Sequence, residues 1–210
     1  MTEQMRKWMG QKGRDYTERN VNSVEGMDEL YRNNYGVSRT ELNQRFLEGM
    51  ERSLPILEVG CNIGNQLLCL QKMGFNNLYG IDIERQALQI AKRSTGNIQI
   101  LEGSVFEIPF PDEGFHIVFT SGLLIHIHPQ DIGSALDEIH RCTKKYILGL
   151  EYYADDYTAI HYRGDRRFLW KTDFPRLYLE KFPDLKMVRE ERLRYLYNSN
   201  VDSFFMLAKY

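Results

Sequence analysis

Short apolar runs alternate with amphipathic segments through the middle of this 210-residue chain. Runs that predict β-strands lie at 55–59, 77–82, 98–101, 115–120 and 145–150. Segments that repeat apolar residues at a spacing of three or four, which predicts helices, lie at 66–73, 84–93 and 130–142. Strands that alternate with helices predict right-handed βαβ units and a parallel sheet that is covered on both faces.

The two ends of the chain have different patterns. Residues 1–53 are polar and aromatic without a strand-like run, and the apolar spacing over 39–50 predicts a helix. Two extended runs near the carboxyl end, 185–193 and 201–208, have no long helix between them. They predict a hairpin that adds one antiparallel strand to the sheet.

A glycine loop follows the first predicted strand. Glu58 precedes Gly60, and Gly64 lies four residues further on, where a helix is predicted to begin. Glycines allow a sharp turn and a close approach of ligand to backbone, and a helix start offers free N–H groups and partial positive charge. Asp82 ends the second predicted strand, 22 residues after Gly60, where a carboxylate can accept both hydroxyls of a ribose.

Two ligands use this layout, a dinucleotide and S-adenosylmethionine. The dinucleotide pattern is Gly-x-Gly-x-x-Gly, whereas Asn62 stands here between Gly60 and Gly64. The Glu58 carboxylate would repel a pyrophosphate and would hold the ammonium of a methionine group through water or backbone. The loop therefore favours S-adenosylmethionine. Because asparagine tolerates left-handed backbone, we predict a left-handed or nearly left-handed Asn62.

The composition mainly excludes certain classes of function. The chain has 27 basic and 29 acidic side chains, so it lacks the broad positive field of nucleic-acid-binding proteins. It contains no apolar run of about 18 residues and no secretory signal, so we expect no membrane association and a cytoplasmic location. Three cysteines without a metal-binding spacing predict reduced thiols and no metal site. They are Cys61, Cys69 and Cys142.

Four segments resemble class I S-adenosylmethionine-dependent methyltransferases in content and order. They are Leu57-Glu58-Val59-Gly60, Tyr79-Gly80-Ile81-Asp82, Gly103-Ser104-Val105 and Phe115-His116-Ile117-Val118. Other segments resemble more narrowly the methylase family associated with pseudaminic acid biosynthesis, whose name implies a surface-sugar pathway. These are Trp8-Met9-Gly10, the run Asp15 to Asn20, the run Ser121 to Pro129, Glu151-Tyr152-Tyr153, Tyr162-Arg163-Gly164 and Lys171-Thr172-Asp173-Phe174.

The resemblance implies an α/β fold: a Rossmann-like, seven-stranded, mostly parallel sheet with helices on both faces and an antiparallel last strand. It also implies the cofactor contacts: Glu58, Gly60, Asn62 and Gly64 at the methionine end, Asp82 at the ribose, Ile83, Ser104 and Val105 at the adenine, and Ser121 with Gly122 beneath the sulfonium. Asn62 departs from the usual glycine of the family, Ser104 from the usual aspartate near the adenine amine, and His116 from a common aspartate.

Methyl transfer to an alcohol needs a general base, whereas an amine needs only to be neutral. His126 and His128 follow the fourth predicted strand, at the sheet edge where α/β proteins bind ligands. Their alternation predicts that both lie on one side of a short extended piece, with His126 as a candidate base. Alternatively, His126 packs or caps the next helix, and His128 is a surface residue. Glu151, at the end of the fifth predicted strand, is a second candidate base.

Residues 151–170 are rich in tyrosine and arginine, and we expect an acceptor pocket or lid there rather than only a solvated loop with packed aromatic rings. Tyrosine rings offer flat faces to sugars, and arginines suit carboxylate or phosphate. Near the amino terminus, Tyr16 and Arg19 are expected to join a cover over the cofactor. The expected acceptor-binding residues are Tyr16, Arg19, His128, Tyr152, Tyr153, Tyr162 and Arg163.

The chain is thus expected to be a single methyltransferase domain. Its expected parts are a helical N-terminal cap (1–53), a cofactor-binding core (54–150), an acceptor-site lid (151–175), and a C-terminal helix and hairpin (176–210). We expect S-adenosylmethionine as cofactor, S-adenosylhomocysteine as its product, a small polar, anionic sugar or nucleotide-sugar acceptor, and a monomer or homodimer. The alternatives are a non-catalytic S-adenosylmethionine-binding partner or regulator and a nicotinamide-dependent oxidoreductase. Nucleic-acid methylation is disfavoured by charge and by the lack of an Asn-Pro-Pro-Tyr motif.

Overall fold

The computed structural model describes residues 2–20, 23–161 and 168–210. The chain consists of two compact units, Met1–Ser104 and Val105–Tyr210. Two predicted acceptor residues, Tyr162 and Arg163, lie outside the described residues. Within the described ranges, no helix is both long and apolar enough to cross a membrane.

The first unit begins with helices, as the lack of strand-like runs predicts. They are α1 (Glu3–Trp8), α2 (Gln11–Thr17), α3 (Val24–Tyr35) and α4 (Arg39–Leu47). A reciprocal capping box starts α4: the Ser38 hydroxyl accepts from the N–H of Glu41, and the Glu41 carboxylate accepts from the N–H of Ser38. The helix predicted over 39–50 is confirmed, with its end at Leu47.

Three parallel strands follow in the order β3-β2-β1. They are β1 (Ile56–Val59), β2 (Leu78–Asp82) and β3 (Gln99–Glu102), connected by the helices α5 (Asn65–Lys72) and α6 (Arg85–Ser94). The predicted apolar stripe of α6 is buried, at Ala87, Leu88 and Ala91. Burial of this stripe stabilises the packing of α6 against the strands, because apolar area is removed from water.

The second unit contains β4 (Phe115–Ser121), α7 (Ile132–Cys142), β5 (Thr143–Tyr152), α8 (Phe174–Lys181), β8 (Leu185–Arg194) and β9 (Val201–Lys209), with a short pair described below. β4 and β5 are parallel, and β9 is antiparallel to both β5 and β8. The predicted fold class is therefore confirmed as an α/β, seven-stranded, mostly parallel sheet with an antiparallel last strand.

Two features of the second unit differ from the sequence-based expectations. Leu124–His126 form a short 3-10 turn, in which the N–H groups of His126 and Ile127 donate to the carbonyls of Leu123 and Leu124. The prediction of an extended piece carrying His126 and His128 on one side is wrong, because these hydrogen bonds close a tight turn. A two-strand sheet, β6 (Thr158–Ala159) with β7 (Trp170–Lys171), was not predicted, since two-residue strands leave no periodic pattern.

Gly149 is required by the packing between β5 and β9. A Cβ at this position would overlap the ring of Phe205, which is its buried partner on β9. We predict that Gly149→Ala lowers the free energy of unfolding by about 1–3 kcal/mol, because the ring must leave its place. Urea unfolding measures this loss. Gly133→Ala is the control, since a Cβ at Gly133 would approach only the end of the flexible Lys181 side chain, with Nζ at 3.9 Å. Equal losses in both variants would contradict the prediction.

Candidate functional site

The loop after β1 turns on three residues with left-handed backbone. The φ angles are 76° at Gly60, 45° at Asn62 and 82° at Gly64, so the predicted left-handed Asn62 is confirmed. The N–H groups of Gly60 and Cys61 both donate to the carbonyl of Ile81, at 2.8 and 2.9 Å. These bonds fix the loop against the end of β2.

Asp82, the last residue of β2, is bonded to the same loop. Its Oδ2 accepts from the N–H of Asn62 and its Oδ1 accepts from the N–H of Glu84, each at 2.8 Å. Burial raises the pKa of Asp82, and backbone N–H donors oppose that rise. Each carboxylate oxygen has a further lone pair, so Asp82 is held in place to accept two neighbouring hydroxyl groups.

Glu58 is buried, with 2 % of its surface exposed. Burial raises the pKa of Glu58 well above its ordinary value, while the positive charge of Arg39 opposes the rise. The N–H of Leu67, in the first turn of α5, donates to this carboxylate, and Oε2 has no hydrogen-bond partner. Glu58 is therefore tied to the first turn of α5, the helix that begins at the glycine loop.

The other expected cofactor residues have less distinctive surroundings. Ile83 and Ser104, in the first unit, are half-buried. Ser121 and Gly122, in the second unit, are also half-buried, whereas Val105 is buried. Gly122 has a left-handed φ of 66°, and its N–H donates to the carbonyl of Leu150 at 2.8 Å. The turn after β4 is thus tied to β5.

Tyr16 and Arg19 lie in the last turn of α2 and just after it. Tyr16 packs edge-on against Trp8 with ring centroids 5.5 Å apart, and the Arg19 guanidinium lies 6.0 Å from the Tyr16 ring. The residues that bond to the glycine loop are instead Thr17 and Asn20, whose side chains both contact Asn62. The family motif passes through both residues, but nothing in the sequence indicated this contact.

Glu151 holds the turn that follows β4. Its Oε1 accepts from the N–H of Leu123 at 3.2 Å, and its Oε2 accepts from the N–H of Ile125 at 3.4 Å. Glu151 is only 1 % exposed, and this burial raises its pKa to about 7 against donors that include the Thr120 side chain. Because both oxygens are engaged by backbone, the geometry favours a positioning role for Glu151 over that of a base.

We predict that the stability difference between wild type and Glu151→Gln depends on pH. Burial raises the pKa of Glu151 from 4.5 to about 7, so the folded chain binds this proton more tightly than the unfolded chain does. The wild type therefore loses stability as pH rises between these values, by up to about 3 kcal/mol. Glutamine, which is always neutral, shows no such loss, although it gives up one backbone hydrogen bond at every pH.

Urea unfolding of both proteins over about pH 5–8 measures this difference. The free energy of unfolding of the variant is expected to increase relative to that of the wild type as pH rises. Glu180→Gln is the control, because Glu180 lies on the exposed side of α8. A difference between wild type and Glu151→Gln that stays constant with pH would contradict the prediction.

His126 and His128 have different hydrogen-bonding environments. His126 is 9 % exposed, and its Nδ1 lies 3.0 Å from the carbonyl oxygen of Phe168. A carbonyl only accepts, so the His126 Nδ1 carries a proton. The Nδ1 of half-buried His128 instead accepts from the N–H of Gln130 at 3.2 Å, and its ring packs edge-on against Trp170.

Tyr152 and Tyr153 each have a cation at the face of the ring. The Lys171 Nζ lies 5.6 Å from the Tyr152 ring centroid, and the Arg192 guanidinium lies on the Tyr153 ring. Burial lowers the pKa of Lys171, and the same Nζ donates to Asn200. Sequence reasoning assigned no role to Lys171 or Arg192, because they lie on β7 and β8, outside the tyrosine-rich segment.

Cys61, Cys69 and Cys142 are buried and form no disulfide. In the parts of the chain that the structure describes, no group of three or more histidine, cysteine or acidic side chains is arranged to hold a metal ion.

Comparison with known proteins supports a methyltransferase domain. Residues 56–146 match the family described as "Methyltransferase domain". A demethylmenaquinone methyltransferase from Chlorobaculum tepidum is 30 % identical over 119 residues, which are 57 % of this chain and 46 % of that protein. The chain thus spans about half the length of the curated relatives that it matches.

Solved structures share the fold at low sequence identity. Magnesium protoporphyrin IX methyltransferase from Synechocystis, with bound S-adenosylhomocysteine, has a TM-score of 0.71 at 14 % identity and covers 98 % of each chain. The 1,6-didemethyltoxoflavin-N1-methyltransferase from Burkholderia thailandensis has a TM-score of 0.65 at 16 % identity and covers 94 % of this chain and 82 % of its own. The family match spans both the glycine loop and Asp82 at the end of β2. Residues 56–146 thus match a methyltransferase domain family, and the solved methyltransferases share the fold of this chain.

Proposed function

We propose that this chain transfers a methyl group from S-adenosylmethionine to a small polar, anionic acceptor. The observation that carries the proposal is the Asp82 carboxylate, held by two backbone N–H groups beside a left-handed glycine loop. The finer form of the proposal, an anionic sugar or nucleotide-sugar acceptor, rests on the sequence resemblance to the pseudaminic acid-associated methylases.

The residues of the first unit fit the adenosyl cofactor. Asp82 offers two fixed acceptor oxygens for ribose hydroxyls, and the backbone at Gly60, Asn62 and Gly64 leaves room for close approach of a ligand. Ile83 and Ser104 would contact the adenine, and Glu58 would support the methionine end through α5. Val105, Ser121 and Gly122 remain proposed cofactor contacts on the sequence resemblance. When bound, the cofactor supplies an electrophilic methyl group on a sulfonium.

His126 is the residue that we propose to accept a proton. An acceptor hydroxyl oxygen would displace the sulfur of S-adenosylhomocysteine from the methyl carbon, and the Nε2 of His126 would take the proton that the oxygen loses. The Phe168 carbonyl keeps the ring in the required tautomer. Glu151 holds the turn that ends at His126, so we assign it a positioning role.

For the acceptor, we propose that the cation and ring pairs of the second unit supply binding groups. Tyr152 with Lys171, and Tyr153 with Arg192, combine a flat aromatic face with a positive charge. Such pairs suit a sugar ring that carries a carboxylate or phosphate. His128, Tyr16 and Arg19 remain proposed contacts. So do Tyr162 and Arg163, which lie outside the described residues.

The name of the Chlorobaculum relative favours a second candidate acceptor, a demethylated quinone. A quinone ring is apolar and uncharged, so it would use the aromatic faces near His128 and Trp170 more than the cations. The two candidates therefore differ in which fraction of a cell extract would contain the methylated product.

An extract assay with methyl-labelled S-adenosylmethionine tests the proposal. Label in a water-soluble anionic product supports the sugar acceptor, whereas label in the organic phase supports the quinone. Calorimetry comes first: binding of S-adenosylhomocysteine without binding of NAD is expected. Binding of NAD alone would overturn the methyltransferase proposal, and cofactor binding without turnover on any extract would favour a non-catalytic regulator.

A further inference from the structure

Asn62 occupies a loop position where glycine is the residue best suited to the backbone. Its φ of 45° lies in the left-handed region, which costs conformational energy for any residue with a Cβ. Both ends of its side-chain amide are nevertheless engaged. Oδ1 accepts from the Nδ2 of Asn20 at 2.7 Å, and Nδ2 donates to the Oγ1 of Thr17 at 2.9 Å. These two hydrogen bonds offset the backbone cost.

Helix α2 also packs tightly on the segment that follows Asp82. Thr17 is buried, and its Oγ1 lies 3.5 Å from the Oε2 of Glu84. A Cβ at Gly13 would lie 2.9 Å from the Cγ of Glu84 and would overlap the Trp8 carbonyl, so α2 lies as close as a glycine permits. The Glu84 carboxylate in turn caps α6.

The contacts form a closed hydrogen-bonded circuit of four residues: Asp82, Asn62, Thr17 and Glu84. The N–H groups of Asn62 and Glu84 donate to the two oxygens of Asp82, the Asn62 amide donates to Thr17, and the Thr17 hydroxyl donates to Glu84. The directions are consistent, because a hydroxyl accepts one bond and donates another. Each member is therefore oriented by the next.

We infer that Asn62 is a positioning residue that clasps the N-terminal helices α1 and α2 to the cofactor loop. The circuit thus connects the Asp82 carboxylate to α2 by way of Asn62 and Thr17. Removing the Asn62 side chain releases α2 while leaving the loop backbone free to keep its shape, since glycine adopts a positive φ without strain. Loss of the clasp also loosens Asp82, which lowers cofactor affinity. This last step rests on the proposed function, whereas the clasp itself does not.

Hydrogen exchange of the ligand-free, full-length chain tests the clasp directly. Asn62→Gly and Thr17→Val are each expected to speed amide exchange in α1 and α2 by about tenfold, because local opening becomes easier. The double variant is expected to be no faster than either single variant, since both changes break the same circuit. Gln11→Ala is the control, because Gln11 lies on α2 and its side-chain bonds among the described residues are to Asp15 and Arg14 of the same helix.

Unchanged exchange in Asn62→Gly, or additive effects in the double variant, would overturn the inference. Urea unfolding of each variant shows that the chain still folds. A separate titration with S-adenosylhomocysteine is expected to show affinity about threefold weaker in Asn62→Gly, with no change in Gln11→Ala. If the wild type fails to bind the ligand, the proposed function is wrong, and the exchange result still decides the clasp.

Discussion

Exchanging Asp82 for alanine is expected to weaken the binding of S-adenosylhomocysteine at least tenfold, or about 1.4 kcal/mol for each factor of ten. The change removes the two acceptor oxygens that we assign to the ribose. It also removes the partner of the N–H groups of Asn62 and Glu84, so the glycine loop loses one of its ties to β2. Calorimetric titration of both proteins measures the change in affinity.

The matched control for this prediction is Glu102→Ala. Glu102 ends β3 beside Asp82 in the register of the two strands, and it forms an exposed pair with Arg85. It therefore tests the loss of an acid at the same edge without loss of the loop tie. Equal affinity in wild type and Asp82→Ala would show that the ribose is held elsewhere.

The second large effect is expected at His126. His126→Ala should lower turnover on a hydroxyl acceptor by about 100-fold, which is within the range that general-base catalysis contributes. Affinity for S-adenosylhomocysteine should stay within about twofold of wild type, because His126 is assigned to the proton and not to the cofactor. Initial rates with labelled cofactor and calorimetry measure the two quantities separately.

His116→Ala serves as the control for a lost imidazole. His116 lies on β4, with its ring edge-on to Tyr146, and we assign it no role in the reaction. Wild-type turnover in His126→Ala would contradict the base assignment and would point to an amine acceptor or to another base. A loss of turnover in both variants alike would show that the effect is structural.

The arrangement of the glycine loop and Asp82 could be predicted because these residues act locally. Gly60, Asn62 and Gly64 lie in one loop after a buried strand, and Asp82 ends the next strand, so spacing alone places them at the same sheet edge. The positive φ of Asn62 followed from the backbone preference of asparagine. The strands and helices followed from apolar periodicity, with shifts of a few residues at their ends.

The turn after β4 and the tyrosine–cation pairs depend on contacts that spacing does not encode. The 3-10 turn at Leu124–His126 is held by Glu151 from a strand 26 residues away, and no local pattern reveals such a bond. The Phe168 carbonyl that fixes the His126 tautomer is backbone, which carries no sequence signal. Lys171 contacts the Tyr152 ring from β7, and Arg192 contacts the Tyr153 ring from β8. Both contacts depend on how these strands fold back, which spacing does not show.

Cys61 provides a chemical probe of how often the glycine loop opens. Its thiol is 3 % exposed, between Gly60 and Asn62, and burial together with the nearby carboxylates of Asp82 and Glu58 raises its pKa well above the ordinary value. Only an exposed thiolate attacks an alkylating reagent. The rate at which Cys61 is alkylated therefore reports how often this loop opens. The probe is a natural residue of the loop.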